Sequence, residues 1–197
     1  MNTVIPRDLI KNLRRIVGER HVAESRTTTE LYSYDGSMAR GRPGAVVFPG
    51  DAAETAAVIK EATRVGVPFV PRGFGTNLSG GTVLPYGGLT ICLARLNRIL
   101  GIFPNRRTAV VQPGVTNLEL QNALAPLGFF YAPDPASQKV ATLGGNVGEN
   151  SGGPRCLRYG VTTNHVIGLQ VILADGQILH LGSAAYDPSG YDLRGLL

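Results

Sequence analysis

What the chain lacks narrows it first. No apolar run nears the about 18 residues of a membrane span. The opening Met1-Asn-Thr-Val-Ile-Pro-Arg7 has no apolar signal core. Two cysteines, Cys92 and Cys156, are too few for a disulfide framework, and Cys92 within Leu89-Thr-Ile-Cys-Leu93 reads as a buried thiol. Three histidines, His21, His165 and His180, show no metal-ligand spacing. Lysine is scarce as well, with three against 16 arginines. The arginines stand singly or as the pairs Arg14-Arg15 and Arg106-Arg107, without aromatic interleaving, so the net charge of +5 does not point to nucleic acid. The 26 glycines and 13 prolines have no triplet period, which excludes collagen, and a 43% hydrophobic share excludes disorder. These absences lead us to expect a soluble, cytoplasmic chain with no transmembrane segment, no nucleic-acid partner and no metal.

What is present divides into two rhythms. Residues 6–17 place Leu9, Leu13 and Ile16 at helical spacing, and Gly18 stops the run. Residues 19–44 are polar and read as an arm, so 1–44 is expected to be an N-terminal helix and arm. Ala45-Val-Val-Phe48, a helix over 51–65 opened by Asp51 and Glu54, and Val67-Pro-Phe-Val70 make a βαβ unit with two parallel strands. Strand-like pieces then follow at 89–93, 99–103 and 108–112, and Thr116 and Glu119 open a helix over 117–127. Strands 166–173 and 177–181 flank the turn Ala174-Asp-Gly176. The expected fold class is α+β: a small parallel βαβ lobe (about 45–100), then a mainly antiparallel lobe with helices (about 101–197).

Two glycine-rich stretches carry the chemistry. The strand ending at Val70 runs into Pro71-Arg-Gly-Phe-Gly-Thr-Asn-Leu-Ser-Gly-Gly81. Glycines there let the backbone turn with positive φ and approach a ligand closely. Successive amides form an anion-binding concavity, which a diphosphate uses best. The stretch is not a Walker A loop, since Gly81-Thr82 stands where Lys-Ser/Thr belongs, and no helix follows to complete a nicotinamide fingerprint. A second stretch, Tyr131-Ala-Pro-Asp-Pro-Ala-Ser137 leading to Thr142-Leu-Gly-Gly-Asn-Val-Gly-Glu-Asn-Ser-Gly-Gly153, repeats the pattern. Asn150-Ser-Gly-Gly-Pro154 imitates the neighbourhood of a protease serine, yet His21 lacks the flanks of a catalytic base. One dinucleotide with phosphates on the first stretch and a flat ring against the second fits both. A plain nucleotide, or a glycine-rich turn without ligand, are the other readings.

In this order, these motifs together with Arg158-Tyr-Gly-Val-Thr-Thr-Asn-His-Val-Ile-Gly-Leu169 resemble the FAD-binding domain (PCMH type) of the vanillyl-alcohol oxidase/p-cresol methylhydroxylase superfamily. The branch most similar holds the FAD-linked subunits of bacterial glycolate oxidase and the D-lactate dehydrogenases. The likeness runs from Thr29-Glu-Leu-Tyr-Ser-Tyr-Asp35 to Ser189-Gly-Tyr-Asp-Leu193.

The resemblance implies that Pro71, Arg72, Gly73, Phe74, Gly75, Thr76, Asn77, Ser79, Gly80 and Gly81 hold the FAD diphosphate, chiefly through amides. Pro133, Asp134, Ser137, Thr142, Gly144, Gly145, Asn146, Glu149, Asn150, Gly152 and Gly153 would line the flavin and ribityl side. Tyr159, Gly160 and Val166 would lie toward the adenosine. Some members attach flavin through a histidine in the first loop; Thr76 takes that place here, so the FAD is expected to be non-covalent. The implied reaction is hydride transfer from a D-2-hydroxy acid to flavin N5, giving the 2-oxo acid, with a non-catalytic electron-transfer subunit as the alternative. Catalytic groups would come from a C-terminal cap beyond Leu197, so none is assigned and this stretch alone is expected to be inactive. Arg155 and Arg158 are conceivable carboxylate partners with surface ion pairs as their simpler role. An iron–sulfur or second flavin-type subunit and peripheral attachment at the inner membrane complete the expectation.

Overall fold

The structure, a computed structural model, describes residues 4–182 and 191–196. Met1–Thr3 of the leader reading, and Ser189 and Gly190 of the closing motif, lie outside the described residues. The chain divides into two compact units. One takes the chain up to Leu96 together with Ile172–Ile178, and the other takes Asn97–Val171 and the remainder from Leu179.

The first unit is built on a four-stranded sheet. Its elements are α1 (Arg7–Val17), β1 (Val22–Ala23), α2 (Arg26–Leu31), β2 (Ala45–Val47), α3 (Ala52–Arg64), β3 (Phe69–Arg72) and β4 (Leu89–Cys92). The strand order is β1-β2-β4-β3. Strand β1 runs antiparallel to β2, while β2 and β3 both run parallel to β4, with Ala45 and Phe69 each opposite Leu89. The βαβ unit is therefore present, but β4 stands between its two strands. Strand β4 falls within the span, about 45–100, expected for the parallel lobe. The physical sign is burial: every residue of β4 is buried, as in a parallel strand covered on both faces. Leu9, Leu13, Val58 and Ala62 from the two long helices pack with Val47, Leu89 and Ile91 as the core. Helix α3 starts as the sequence indicates, since Asp51 Oδ1 accepts from Glu54 N at 2.7 Å.

The arm is more structured than its polar composition suggests. Ser25 caps α2 by accepting from Thr28 N at 3.2 Å, and β1 adds an edge to the sheet. Both elements are too short to produce a periodic hydrophobic signal.

The second unit contains β5 (Ile99–Phe103), β6 (Thr108–Val111), α4 (Asn117–Leu124), α5 (Leu143–Gly148), α6 (Cys156–Tyr159), and all but the end residues Ile172 and Ile178 of β7 (Gly168–Ile172) and β8 (Ile178–Gly182). Strands β5 and β6 pair antiparallel with a register shift between Ile99 and Gly101, and β7 pairs with β8 around Gly176 (φ 83°). Val115, Leu120, Leu124 and Leu143 form its core, against which Ile99, Ile102, Ala109 and Val111 pack. The capping box that opens α4 is complete: Glu119 N donates to Thr116 Oγ1 at 3.2 Å, and Thr116 N donates to Glu119 Oε2 at 2.7 Å. The helix ends at Leu124, and a single 3-10 turn, Ala125–Leu127, completes the span expected to 127. Among the described residues, no helix is long and apolar enough to cross a membrane.

Candidate functional site

In the first unit the glycine loop leaves the carboxyl end of β3, which is where open α/β sheets place their ligands. Gly75 (φ 71°) and Gly80 (φ 79°) occupy the left-handed region, which accounts for glycine at both positions. A Cβ at Gly75 would run into the Arg72 guanidinium. Among the described residues, no acceptor takes the backbone N–H of Phe74, Gly75 or Thr76. Successive free amides of this kind, on a backbone without Cβ atoms at residues 73 and 75, can form a cradle for an anion. Phe74 and Leu78 are exposed, and Pro71 and Gly81 lie at the surface.

Arg72 is placed differently from the loop around it. Its side chain is buried beneath the loop, with Nη1 donating to Thr82 Oγ1 at 3.2 Å and its Cζ 5.3 Å from the centre of the Tyr32 ring. Burial pulls its pKa below the ordinary arginine value, opposed by Cys92, Tyr32, Asp35 and Tyr34. Thr82 Oγ1 in turn donates to Asn77 Oδ1 at 3.0 Å. Asn77 Nδ2 donates to Asp35 Oδ2 at 2.7 Å, and also lies 3.5 Å from Ser79 Oγ. Burial raises the Asp35 carboxyl, but hydrogen bonds from Ser37, Asn77 and Thr82 outweigh it and hold the pKa below the ordinary range. Sequence reasoning passed over Asp35 and Thr82. The one local signal was Asp-Gly-Ser at 35–37, an Asx-turn pattern that says nothing about the distant loop.

In the second unit the structure brings the motif pieces together. A Cβ at Gly153 would strike the Asp134 carbonyl, so residues 133–134 lie against the Gly152–Gly153 turn. Asp134 also pairs with Arg155, Oδ2 to Nη2, at 3.3 Å. Asn150 (φ 46°) accepts from Thr163 N at 3.0 Å and Thr163 Oγ1 at 2.9 Å. The Ser151 carbonyl accepts from Thr162 Oγ1 at 2.7 Å. His165 Nε2 meets the Tyr159 carbonyl at 2.9 Å, and Gly160 leaves room for Asn164. Val166 faces a small depression that Val147, Thr162 and Leu169 also line.

Several expected ligand side chains are turned to the fold. Thr142 Oγ1 caps α5 by accepting from Gly145 N at 3.3 Å, and Asn146, 1% exposed, donates to Asn117. Gly144 lies against Pro113, where a Cβ would come within 2.6 Å. Ser137 is half-buried, and its carbonyl takes the amides of Val140 and Ala141. By contrast, a Cβ at Gly148 would meet nothing within 4 Å, and Gly145 and Glu149 are exposed. Helix α5 was not anticipated, because three glycines in Leu143–Gly148 suppress helix propensity; the Thr142 cap was the available signal.

Beside this cluster opens a cleft of about 510 Å³, lined by Gln121, Asn122, Phe130, Gln138, Arg155 and Tyr159 among others. Phe130 and Tyr159 meet edge to face with centroids 5.5 Å apart, and the Arg155 guanidinium sits 5.6 Å from the Phe130 ring centre. Arg158 lies over the Tyr159 ring at 5.2 Å. No group of three or more His, Cys, Asp or Glu residues suited to a metal occurs among the described residues.

Comparison with known proteins identifies the family. A family model described as FAD binding domain matches residues 43–182. The chain is 43% identical over 195 residues to the glycolate oxidase subunit GlcD of Bacillus subtilis, covering 98% of this chain and 42% of that protein. It is 45% identical over 166 residues to the Escherichia coli K12 protein of the same name, covering 84% of this chain and 33% of the relative. The chain thus spans less than half the length of these curated relatives. Among solved structures, 4-ethylphenol oxidase from Gulosibacter chungangensis matches with a TM-score of 0.79 and 26% identity, over 96% of this chain and 39% of the other. The motif order, the glycine cradle and these matches agree: the chain belongs to the FAD binding domain family.

Proposed function

We propose that the chain is the FAD-holding part of a flavin-dependent oxidoreductase that oxidises a D-2-hydroxy acid, of glycolate or D-lactate type, to the 2-oxo acid. The observation that carries this reading is the cradle after β3, where amides of Phe74, Gly75 and Thr76 are open to an anion and Arg72 lies beneath them. Residues 72–81 would take the diphosphate. Asp134, Ser137 and the backbone around Gly145, Gly148 and Gly152–Gly153 would face the flavin and ribityl, and Tyr159, Gly160 and Val166 the adenosine. The polar side chains of Thr142 and Asn146 would act indirectly, by holding α5 in place.

When bound, FAD supplies the two-electron redox chemistry that side chains lack. The chain's own part is to bind and orient the cofactor. Thr76 offers no imidazole for covalent attachment, so the FAD is held by hydrogen bonds and contacts alone. The names of the two glycolate oxidase relatives carry the word subunit, which supports a hetero-oligomer; an iron–sulfur or second flavin-type partner and a cytoplasmic or peripheral inner-membrane position belong to the proposal.

The test is purification followed by a spectrum and acid. The protein should carry a band near ~450 nm, and acid denaturation should leave the flavin in the supernatant. A protein that stays colourless after incubation with FAD would overturn the cofactor reading. Flavin that precipitates with the polypeptide would overturn non-covalent binding. Turnover of a panel of 2-hydroxy acids by the assembled protein separates an oxidoreductase from a subunit that only relays electrons.

A further inference from the structure

The cradle is not held by its own residues alone. Asp35 belongs to the arm, ahead of the matched residues 43–182, and is 7% exposed. One of its oxygens, Oδ1, accepts from Ser37 N at 2.8 Å and Ser37 Oγ at 2.6 Å, which closes the arm's own turn. The other, Oδ2, accepts from Asn77 Nδ2 at 2.7 Å, a residue 42 positions later in the chain, and lies 3.4 Å from Thr82 Oγ1. The same turn touches the loop through its backbone. A Cβ on Gly36 would come within 2.8 Å of the Asn77 carbonyl and 3.1 Å of the Thr76 carbonyl, and one on Gly80 would lie 3.3 Å from Ala39 Cβ. Arm and loop meet at several points, and the carboxylate is the polar centre of that contact.

The charge needs explaining, because a carboxylate facing a diphosphate would repel it. Here the carboxylate is buried and ringed by donors, and Arg72 lies near enough for the two charges to influence each other. Its negative charge is used on the protein side of the loop. Holding the carbonyl side of Thr76–Asn77 against the arm leaves the amides of residues 74–76 for the other side.

We propose that Asp35 is a positioning residue, an arm carboxylate that braces the glycine loop in the shape presenting the amides of Phe74, Gly75 and Thr76 to the FAD diphosphate. The inference rests on the cofactor reading above. It adds that the arm is a working part of the site.

The test compares the wild-type chain with Asp35→Asn, which keeps the shape but turns an amide donor toward that of Asn77. FAD affinity is read by fluorescence titration, and loop mobility by hydrogen exchange of peptides covering 73–82, with 52–64 as the internal reference. FAD affinity should fall about tenfold or more, as for a lost hydrogen bond to a charged group. Exchange should quicken in 73–82 while 52–64 keeps its protection. Affinity within about twofold of wild type, or loosening that spreads equally into 52–64, would overturn the proposal. If Asp35→Asn does not fold, Thr82→Val cuts the loop side of the same network. A several-fold loss of affinity with faster exchange in 73–82 supports the brace, and wild-type behaviour overturns it. A wild-type chain that takes no FAD would sink the cofactor reading instead. In that case exchange in Asp35→Asn still decides whether the brace exists.

Discussion

Asn146 donates its side-chain amide to Asn117 Oδ1 at 2.5 Å, and both residues are fully buried. Asn117 passes the connection on, donating Nδ2 to the Pro133 carbonyl at 2.8 Å, while its own N–H bonds the Ala141 carbonyl at 3.0 Å. Two interior amides therefore tie α4, the 133 segment and α5 together behind the second motif. Buried polar networks of this kind are stabilising when complete and damaging when cut.

Cutting this one should be visible in stability. Asn117→Ala should cost about 2–3 kcal/mol, because it leaves the Asn146 amide and the Pro133 carbonyl unpaired in the interior. Asn146→Ala should cost less, and the double variant should cost less than the two added together. Urea midpoints at constant slope are the measurement. Full additivity would mean that the two side chains act independently.

The first loop makes a second prediction, in affinity. Thr76→Ala should weaken FAD binding about fivefold, the value of one ordinary hydrogen bond of about 1 kcal/mol, or less if the amide alone is used. Gly75→Val should do far more, since φ is 71° there and a Cβ would meet the Arg72 guanidinium. FAD titration, with circular dichroism confirming the fold, checks both. Equal losses in the two variants would show that the backbone is not the principal ligand.

The two thiols should separate cleanly. Burial pushes the Cys92 thiol up, against hydrogen bonds from Ala94 and Tyr32, and the residue is 3% exposed. Cys156 is half-buried and accepts from Gly153 N at 2.9 Å. An aromatic disulfide reagent at about pH 8 should modify Cys156 in the native protein and Cys92 only after unfolding, because exposure and thiolate character govern the rate. Two thiols reacting natively at the same rate would contradict the burial of β4.

Acid should act in part through Asp35. Its carboxyl is held below the ordinary 3.8 by hydrogen bonds that outweigh burial, so the folded state binds that proton more weakly than the unfolded state. Its contribution to stability is complete above the unfolded pKa and is lost as pH falls through the lower folded value. Wild type minus Asp35→Asn, as urea midpoints from about pH 7 to about pH 3, should shrink toward the acid end. A difference independent of pH would assign the loss to shape alone.

The sequence alone determined whatever is local. Asp51 and Glu54, then Thr116 and Glu119, mark helix starts because a cap is a bond between residues three apart. Gly75 and Gly80 announce a turning backbone because positive φ selects glycine at the residue itself. The motifs around Gly73–Gly81 and Thr142–Gly153 are local in the same sense, so the family and its cofactor were legible before any coordinates.

Tertiary structure alone decided what depends on partners far along the chain. The place of β4 between β2 and β3 follows from pairing of strands separated by helices and loops, and a run such as Leu89–Cys92 reads the same at an edge or a centre. The inward turn of Arg72 onto Tyr32 and Thr82 could not be read from the glycine loop itself. Asn146, expected to line the flavin, serves as an interior strut, and its partner, Asn117, lies 29 residues earlier. Asp35, in an arm read as plain polar chain, meets Asn77 only once the sheet has formed. Hydrogen bonds between distant residues leave no period and no spacing in the sequence; they exist only when the hydrophobic core has brought their elements side by side.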